Sequence, residues 1–241
     1  MKAIILAAGL GSRLRPITND RPKAMVTMLD EPTLFRTIKQ LMDVGIKEVT
    51  IVVGYKQEMV IKEINKYFGE GKIKFIKNEI FGESGTALSF YLAAKETDSD
   101  NDVLMLEGDV LFETQLLKRI VESKISNNIA AIARFCPPLN GTVVEMEGNK
   151  ITNYYTKVNS GERENAWKTI NIYKFDNDFI YFLCSMFKEK KEHYRESYLE
   201  ELLQVTVNSG FEIYGVDCGD LIWFEVDDIN DLNYARRLFD I

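Results

Sequence analysis

Lys2-Ala3-Ile4-Ile5-Leu6-Ala7-Ala8-Gly9-Leu10-Gly11-Ser12-Arg13-Leu14-Arg15-Pro16 is the stretch that decides the fold. Ala3–Ala7 is an apolar run of strand length, and the glycines that follow mark a strand-to-helix corner. Two glycines at i and i+2 permit backbone angles closed to other residues, so main-chain N–H groups can turn toward an anion. The dinucleotide fingerprint is incomplete, because Leu14 stands where G-x-G-x-x-G needs its third glycine, and no G-K-[ST] follows. What sets this loop apart is its cations: Arg13 offers a planar fork for phosphate oxygens, and Lys23, after Arg21-Pro22, a mobile point charge.

Outward from this loop, strand-length apolar runs alternate with amphipathic helical stretches. Glu48–Val53, Ile73–Ile76 and Val103–Leu106 read as strands, and Leu34–Val44, Glu58–Phe68 and Thr86–Lys95 as helices. Such alternation implies parallel strands with crossover helices. Past residue 125, Ile129–Phe135, Thr142–Met146, Ile151–Tyr155 and Thr169–Phe175 are strand-like, with turn signals at Asn140-Gly141 and Gly148-Asn149 that suggest hairpins. Helices at Asp178–Lys190, Ser197–Val207 and Ile229–Leu238 and strands at Phe211–Val216 and Trp223–Val226 complete the pattern. The expected fold is α/β: a single domain with a Rossmann-like, doubly wound mixed sheet whose second half adds antiparallel strands.

The composition is that of a soluble globular chain: 241 residues, 46% hydrophobic, 28% charged. With 30 Lys+Arg against 37 Asp+Glu the net charge is −7, which argues against nucleic acid as a partner. The charge is polarised along the chain. Residues 1–40 hold seven basic and three acidic side chains, a local +4, and residues 201–241 two basic and nine acidic, a local −7. Cys136, Cys184 and Cys218 are scattered and lack a C-x-x-C spacing, so a reducing, cytoplasmic setting is expected. No apolar stretch approaches the roughly 18 residues of a membrane span.

Two acidic motifs complement the basic loop. Asp109, in Glu107-Gly108-Asp109, follows a buried strand, where open α/β sheets bind ligands. Glu225 and Asp227, in Trp223-Phe224-Glu225-Val226-Asp227-Asp228, would share one strand face. Beside a phosphate loop, such carboxylates suit Mg2+. A helix N-cap is the competing role for this last run, and Asp228 fits it better than Asp227. The only histidine, His193, lies in a charged run expected to be a solvated helix face.

The loop Gly9 to Pro16 with Arg21-Pro22-Lys23 resembles the signature of nucleotidyltransferases that join a nucleoside triphosphate to a phosphorylated small molecule. The resemblance spans nearly the whole chain. It implies that Arg13 and Lys23 are catalytic and bind the triphosphate, that Leu6, Ala8, Gly9, Gly11, Ser12, Glu83, Gly85 and Thr86 line the nucleotide, and that Asp109, Asp227 and Glu225 hold Mg2+. It assigns residues 1–125 to the nucleotide and residues 126–241 to the acceptor. Sugar-phosphate members carry Gln-Pro and Glu-Lys-Pro where this chain has Glu83-Ser84 and Thr156-Lys157-Val158. The short length and the run Trp167 to Phe175 look more like cytidylyltransferases acting on phosphocholine, aminoethylphosphonate or related phosphates. Lys157 aligns with the lysine that meets the second substrate; Lys168 and Tyr173 join it as acceptor candidates. Tyr154, Tyr155, Trp167 and Trp223, with Glu162 and Glu164, are looser candidates for an ammonium group. The expected partners are CTP and a small phosphate or phosphonate acceptor, with no membrane, in a monomer or homodimer. Two alternatives are a sugar-1-phosphate nucleotidyltransferase using UTP or dTTP and a catalytically silent nucleotide-binding module.

Overall fold

In Lys2–Ala7 (β1) side chains alternate between two buried faces. Ala3, Ile5 and Ala7 enter one core cluster and Ile4 and Leu6 the other, which is the period-two projection of a strand covered by helices on both sides. The structure, a computed structural model, describes residues 1–97, 101–159, 161–163 and 166–239. Thr33–Asp43 (α1), Val49–Val53 (β2), Gln57–Phe68 (α2), Lys74–Lys77 (β3), Thr86–Ala94 (α3) and Val103–Glu107 (β4) continue the alternation. Strands β1 to β4 are parallel and lie in the order β3-β2-β1-β4. Leu34, Ile38 and Leu41 of α1 and Val60 and Ile64 of α2 cover one face. Ala87 and Phe90 of α3 cover the other. Helix α1 ends where Gly45 adopts φ +85° and the Ile46 N–H donates back to the Leu41 carbonyl at 2.9 Å.

The chain then runs through Val110–Phe112 (β5), Thr114–Glu122 (α4), Ile129–Arg134 (β6), Gly141–Glu147 (β7), Lys150–Val158 (β8) and Trp167–Phe175 (β9). It closes with Asn177–Glu189 (α5), Lys191–Tyr194 (α6), Leu199–Asn208 (α7), Tyr214–Asp217 (β10), Trp223–Glu225 (β11) and Ile229–Phe239 (α8). The expected antiparallel extension is present: β9 is antiparallel to both β4 and β6, and the nine-stranded order is β3-β2-β1-β4-β9-β6-β10-β8-β7. Helix α4 was not foreseen; Leu116, Leu117 and Ile120 add its apolar side to the first core cluster.

Three details depart from the expected pattern. Gly148-Asn149 does turn a hairpin, β7 to β8, but Asn140-Gly141 does not, because β6 is already paired on both edges, by β9 and β10. Strand β10 runs parallel to β6. Strand β11 leaves the main sheet and pairs with β5, from Trp223 opposite Phe112 to Glu225 opposite Val110. Both edges of β4 are taken by β1 and β9, so the chain beyond the Gly108-Asp109 turn finds its partner in β11. Among the described residues no helix is long and apolar enough to cross a membrane.

Close backbone approach makes Gly85 a fixed point. A Cβ there would lie 2.0 Å from the Ser197 carbonyl oxygen, and its N–H donates to the Arg195 carbonyl at 2.9 Å, joining α3 to the segment before α7. Gly85→Ala is expected to lower unfolding free energy by about 1–3 kcal/mol. Gly9→Ala, whose added Cβ meets nothing within 4 Å, should stay within about 0.5 kcal/mol of wild type in the same denaturant titration.

Candidate active site

The register of β1 against β4 sets Leu6 beside Glu107, and the Gly108 N–H donates to the Leu6 carbonyl at 2.9 Å. The glycine-rich loop and the Gly108-Asp109 turn therefore leave the sheet side by side, at the carboxyl ends of its central strands, where doubly wound sheets bind ligands. The Val226 N–H donates to the Asp109 carbonyl at 3.1 Å, which carries Glu225 and Asp227 to the same place. Asp228 caps α8, accepting from the N–H groups of Asn230 and Asp231 at 2.7 and 3.0 Å, and so leaves Asp227 free for the site.

The predicted cations and carboxylates meet here. Lys23 Nζ lies 2.6 Å from Asp109 Oδ2 and 2.5 Å from Asp227 Oδ1, and Arg13 Nη2 lies 2.8 Å from the same Asp227 oxygen. The Lys23, Asp109 and Asp227 side chains are only 13%, 20% and 17% exposed, and breaking one such partly buried pair from one side commonly costs about 3–5 kcal/mol. Burial opposes charge on Lys23, yet Asp109, Asp227 and Glu225 together hold its pKa above the usual lysine value. Burial likewise acts to raise Asp227, and Lys23 and Arg13 outweigh it, so its pKa is lowered. Gly11, at φ +63°, supports this arrangement: a Cβ there would lie 2.9 Å from Lys23 Cβ. Of the two loop glycines it alone has a left-handed backbone; Gly9 instead lines open space.

Two cavities flank the carboxylates. One, of about 300 Å³, is lined by Leu6, Ala8, Gly9, Asn78, Gly85 and Thr86 among others. The second, of about 380 Å³, is lined by Arg13, Asn140, Gly141, Asn171, Glu200, Glu225 and Asp227 among others. Thr86, Glu107, Asp109, Lys157 and Tyr198 face both. Lys157 has φ +58°, and its ammonium lies 5.2 Å from the centre of the Tyr198 ring. Gly11, Ser12, Lys23 and Glu83 line neither cavity wall.

The remaining expected residues are placed differently. Lys168 is 1% exposed; its ammonium donates to the Thr169 carbonyl at 2.6 Å and pairs with Glu225 at 3.1 Å. Gly141, on the cavity wall, packs against its stem, so Lys168 is the counter-ion beneath Glu225 and does not open onto the cavity. Tyr173 is 0% exposed because its face of β9 is covered by α3, α5 and α7, and its hydroxyl donates to Glu200 at 2.8 Å. Neither reaches the cavity surface that was expected of an acceptor contact. Tyr154 and Trp223 are buried, the Tyr155 hydroxyl donates to Glu145, and Trp167 lies under Arg134. Glu162 is exposed and bonded to Asn159, and Glu164 lies outside the described residues.

Two acids that sequence reasoning did not single out form part of the second cavity. Glu107 accepts from Asn171 Nδ2 at 3.1 Å; Asn171, at φ +57°, sits near a register shift in the β6 and β9 pairing that re-aims its side chain. Glu200, 2% exposed, accepts from Tyr173. Both partners are neutral. Burial raises the pKa of Glu107, with Asp109, Glu200 and Glu225 adding to it, and burial raises that of Glu200. Glu225 is also raised by burial, partly offset by Lys168.

Oxygen atoms of Glu107, Asp109 and Glu225 lie within 4.8 Å of one another, and Asp109 Oδ1 is buried with no hydrogen-bond partner. Hard oxygen donors with one unsatisfied carboxylate oxygen fit a magnesium-like ion. Asp227 stands outside that trio, held by Lys23 and Arg13.

Residues 2–238 match the family described as Nucleotidyl transferase. The chain belongs to this family. It is 31% identical, over 99% of its length, to a CMP-5'-(3-aminopropyl)phosphonate synthase of Streptomyces rubellomurinus, and it spans 39% of the length of that relative. It is 26% identical to a CTP:phosphoglutamine cytidylyltransferase of Campylobacter jejuni, over 96% of this chain and 98% of that one. Its fold matches the structure of the CTP:phosphocholine cytidylyltransferase of Streptococcus pneumoniae with a TM-score of 0.80, at 19% identity over 98% of both chains. Nucleotidyltransferases generally use a divalent metal, and the acidic trio is a possible place for one.

Because the pKa of Glu200 is raised above the usual 4.5, the folded protein binds its proton more tightly than the unfolded chain. Stability from this group is therefore lost as pH rises from about 4.5 through the raised value. Glu200→Gln keeps an acceptor for Tyr173 and removes the charge. Its melting temperature is expected to exceed wild type at about pH 8 and to converge on it near about pH 4; equal curves at both would show that Glu200 carries no buried charge.

Proposed function

We propose that the chain transfers CMP from CTP to a small phosphate or phosphonate acceptor bearing an amine, releasing pyrophosphate. The observation that carries this is the shared wall between two cavities, which lets groups bound in each meet at Asp109. Lined by Leu6, Ala8, Gly9, Gly85 and Thr86, the smaller cavity would take the nucleoside, with Gly11 and Ser12 in the loop that leads to Arg13. In the larger cavity, Asp227, Asp109 and Glu225 each have a resident cation, whereas Glu107 and Glu200 have only neutral partners. An acceptor whose amine faces those two acids would supply the missing positive charge, and Lys157, on both walls, would meet its phosphate or phosphonate. Two relatives have names that join CTP or CMP with aminopropylphosphonate and phosphoglutamine, and one structural neighbour has a name that joins CTP with phosphocholine. In this reading residues 1–125 serve mainly the nucleotide and residues 126–241 mainly the acceptor.

The acceptor oxygen, ionised at neutral pH, attacks the α-phosphorus as the bond to the bridging oxygen breaks, and pyrophosphate leaves with that electron pair. No protein nucleophile or strong base is required. Arg13 and Lys23 neutralise the triphosphate and hold it in line for attack. Asp109 and Glu225, with Glu107 or Asp227, would hold Mg2+, which supplies charge neutralisation on phosphate oxygens.

Pyrophosphate release measured across four nucleoside triphosphates and a panel of acceptors tests the assignment. Turnover is expected with CTP and an amine-bearing phosphate or phosphonate; turnover confined to UTP or dTTP with a hexose 1-phosphate would overturn it. Asp109→Asn should lower kcat by about 10²–10³-fold. Glu200→Gln should raise KM about tenfold for the amine-bearing acceptor, leave KM for CTP unchanged, and leave an amine-free analogue no worse than before.

A further inference from the structure

The carboxylate pair Asp109 and Asp227 already holds a cation, the Lys23 ammonium, at 2.6 and 2.5 Å. Asp227 Oδ1 also carries Arg13, and Asp109 Oδ1 is buried without a hydrogen-bond partner. The two cations differ in freedom. Arg13 is 65% exposed and can follow a ligand, while Lys23 is 13% exposed and fixed at its base by the short turn Lys23–Met25 and by the contact with Gly11. Only its four-carbon stem can carry the ammonium elsewhere.

We propose that Lys23 is the resident counter-ion of the Asp109 and Asp227 pair, and that it keeps a divalent metal from binding tightly there until triphosphate oxygens draw its ammonium away. This rests on reading the basic loop as a triphosphate site. Carboxylate oxygens committed to an ammonium are poor donors to a second cation, and a divalent ion beside that ammonium is repelled by it. A polyanion relieves both conditions, since it offers Lys23 other oxygens and brings negative charge to the ion. Metal and triphosphate are then coupled, each raising the affinity of the other by the same factor. A lysine that met only the triphosphate would have no effect on metal affinity in its absence.

Mn2+ binding to the protein alone, followed by electron paramagnetic resonance without nucleotide or acceptor, tests this independently of base or acceptor identity. Lys23→Met is expected to bind Mn2+ at least about tenfold more tightly than wild type, within the usual range of coupling between sites. Lys23→Arg, which keeps the charge, should not gain, and Asp109→Asn in the Lys23→Met background should lose the gain. Unchanged or weaker Mn2+ binding by folded Lys23→Met would overturn the proposal. Should Lys23→Met and Lys23→Gln fail to fold in metal-free buffer, recovery of a cooperative melt on adding Mn2+ supports it, and no recovery overturns it. A failure to turn over CTP would count against the cytidylyl reading alone, because the Mn2+ measurement involves no nucleotide.

Discussion

The ion pairs of Lys23 with Asp109 and Asp227 tie together three segments far apart in the chain: the turn after the glycine-rich loop, the end of β4 and the segment after β11. Each charge is largely shielded from water, so none is stable there without the others. This interdependence makes the site a unit. The +4 and −7 ends of the chain meet at this point, although most of the remaining acidic residues near the C-terminus are surface charge.

Topology brings those segments together. Parallel pairing of β1 with β2 and β4 sends the loop after β1 and the turn after β4 out of the same end of the sheet. The small β5 and β11 ladder then folds the acidic C-terminal segment over that end. Insertion of β9 between β4 and β6 extends the sheet beneath the second cavity, where the irregular backbone at Asn171 aims a side chain at Glu107. The result is a partition of charge: ion-paired cations on one side, and acids with neutral hydrogen-bond partners on the other.

Much of this was legible in the sequence, for physical reasons that also explain the rest. Strands buried on both faces and helices with one apolar stripe leave clear periodicities, so the parallel half could be read nearly residue by residue. The three-residue strand β5 leaves none; β11 reads as a strand at Trp223–Val226, but its pairing with β5 was missed. Arg13, Lys23, Asp109 and Asp227 stood out because glycine-rich turns and acidic strand ends are local patterns. Glu200 did not, since in Leu199-Glu200-Glu201 it resembles the solvated face of a helix start, and only the packing of α7 against the sheet shows it 2% exposed. Lys168 was overread for the converse reason. A lysine in a strand suggests a reaching cation, whereas β9 is flanked on both sides and turns it inward to Glu225.

The central claim is that two ligands meet at one set of carboxylates, nucleoside on the Gly85 side and acceptor amine on the Glu200 side. A crystal structure with a nonhydrolysable CTP analogue, Mg2+ and an amine-bearing phosphonate measures this directly. The account predicts the cytosine in the cavity lined by Leu6, Gly85 and Thr86, the amine facing Glu107 and Glu200, and Lys23 withdrawn from Asp109 onto phosphate oxygens. A base seated against Glu200, or Lys23 still bridging Asp109 and Asp227 with the triphosphate bound, would contradict it.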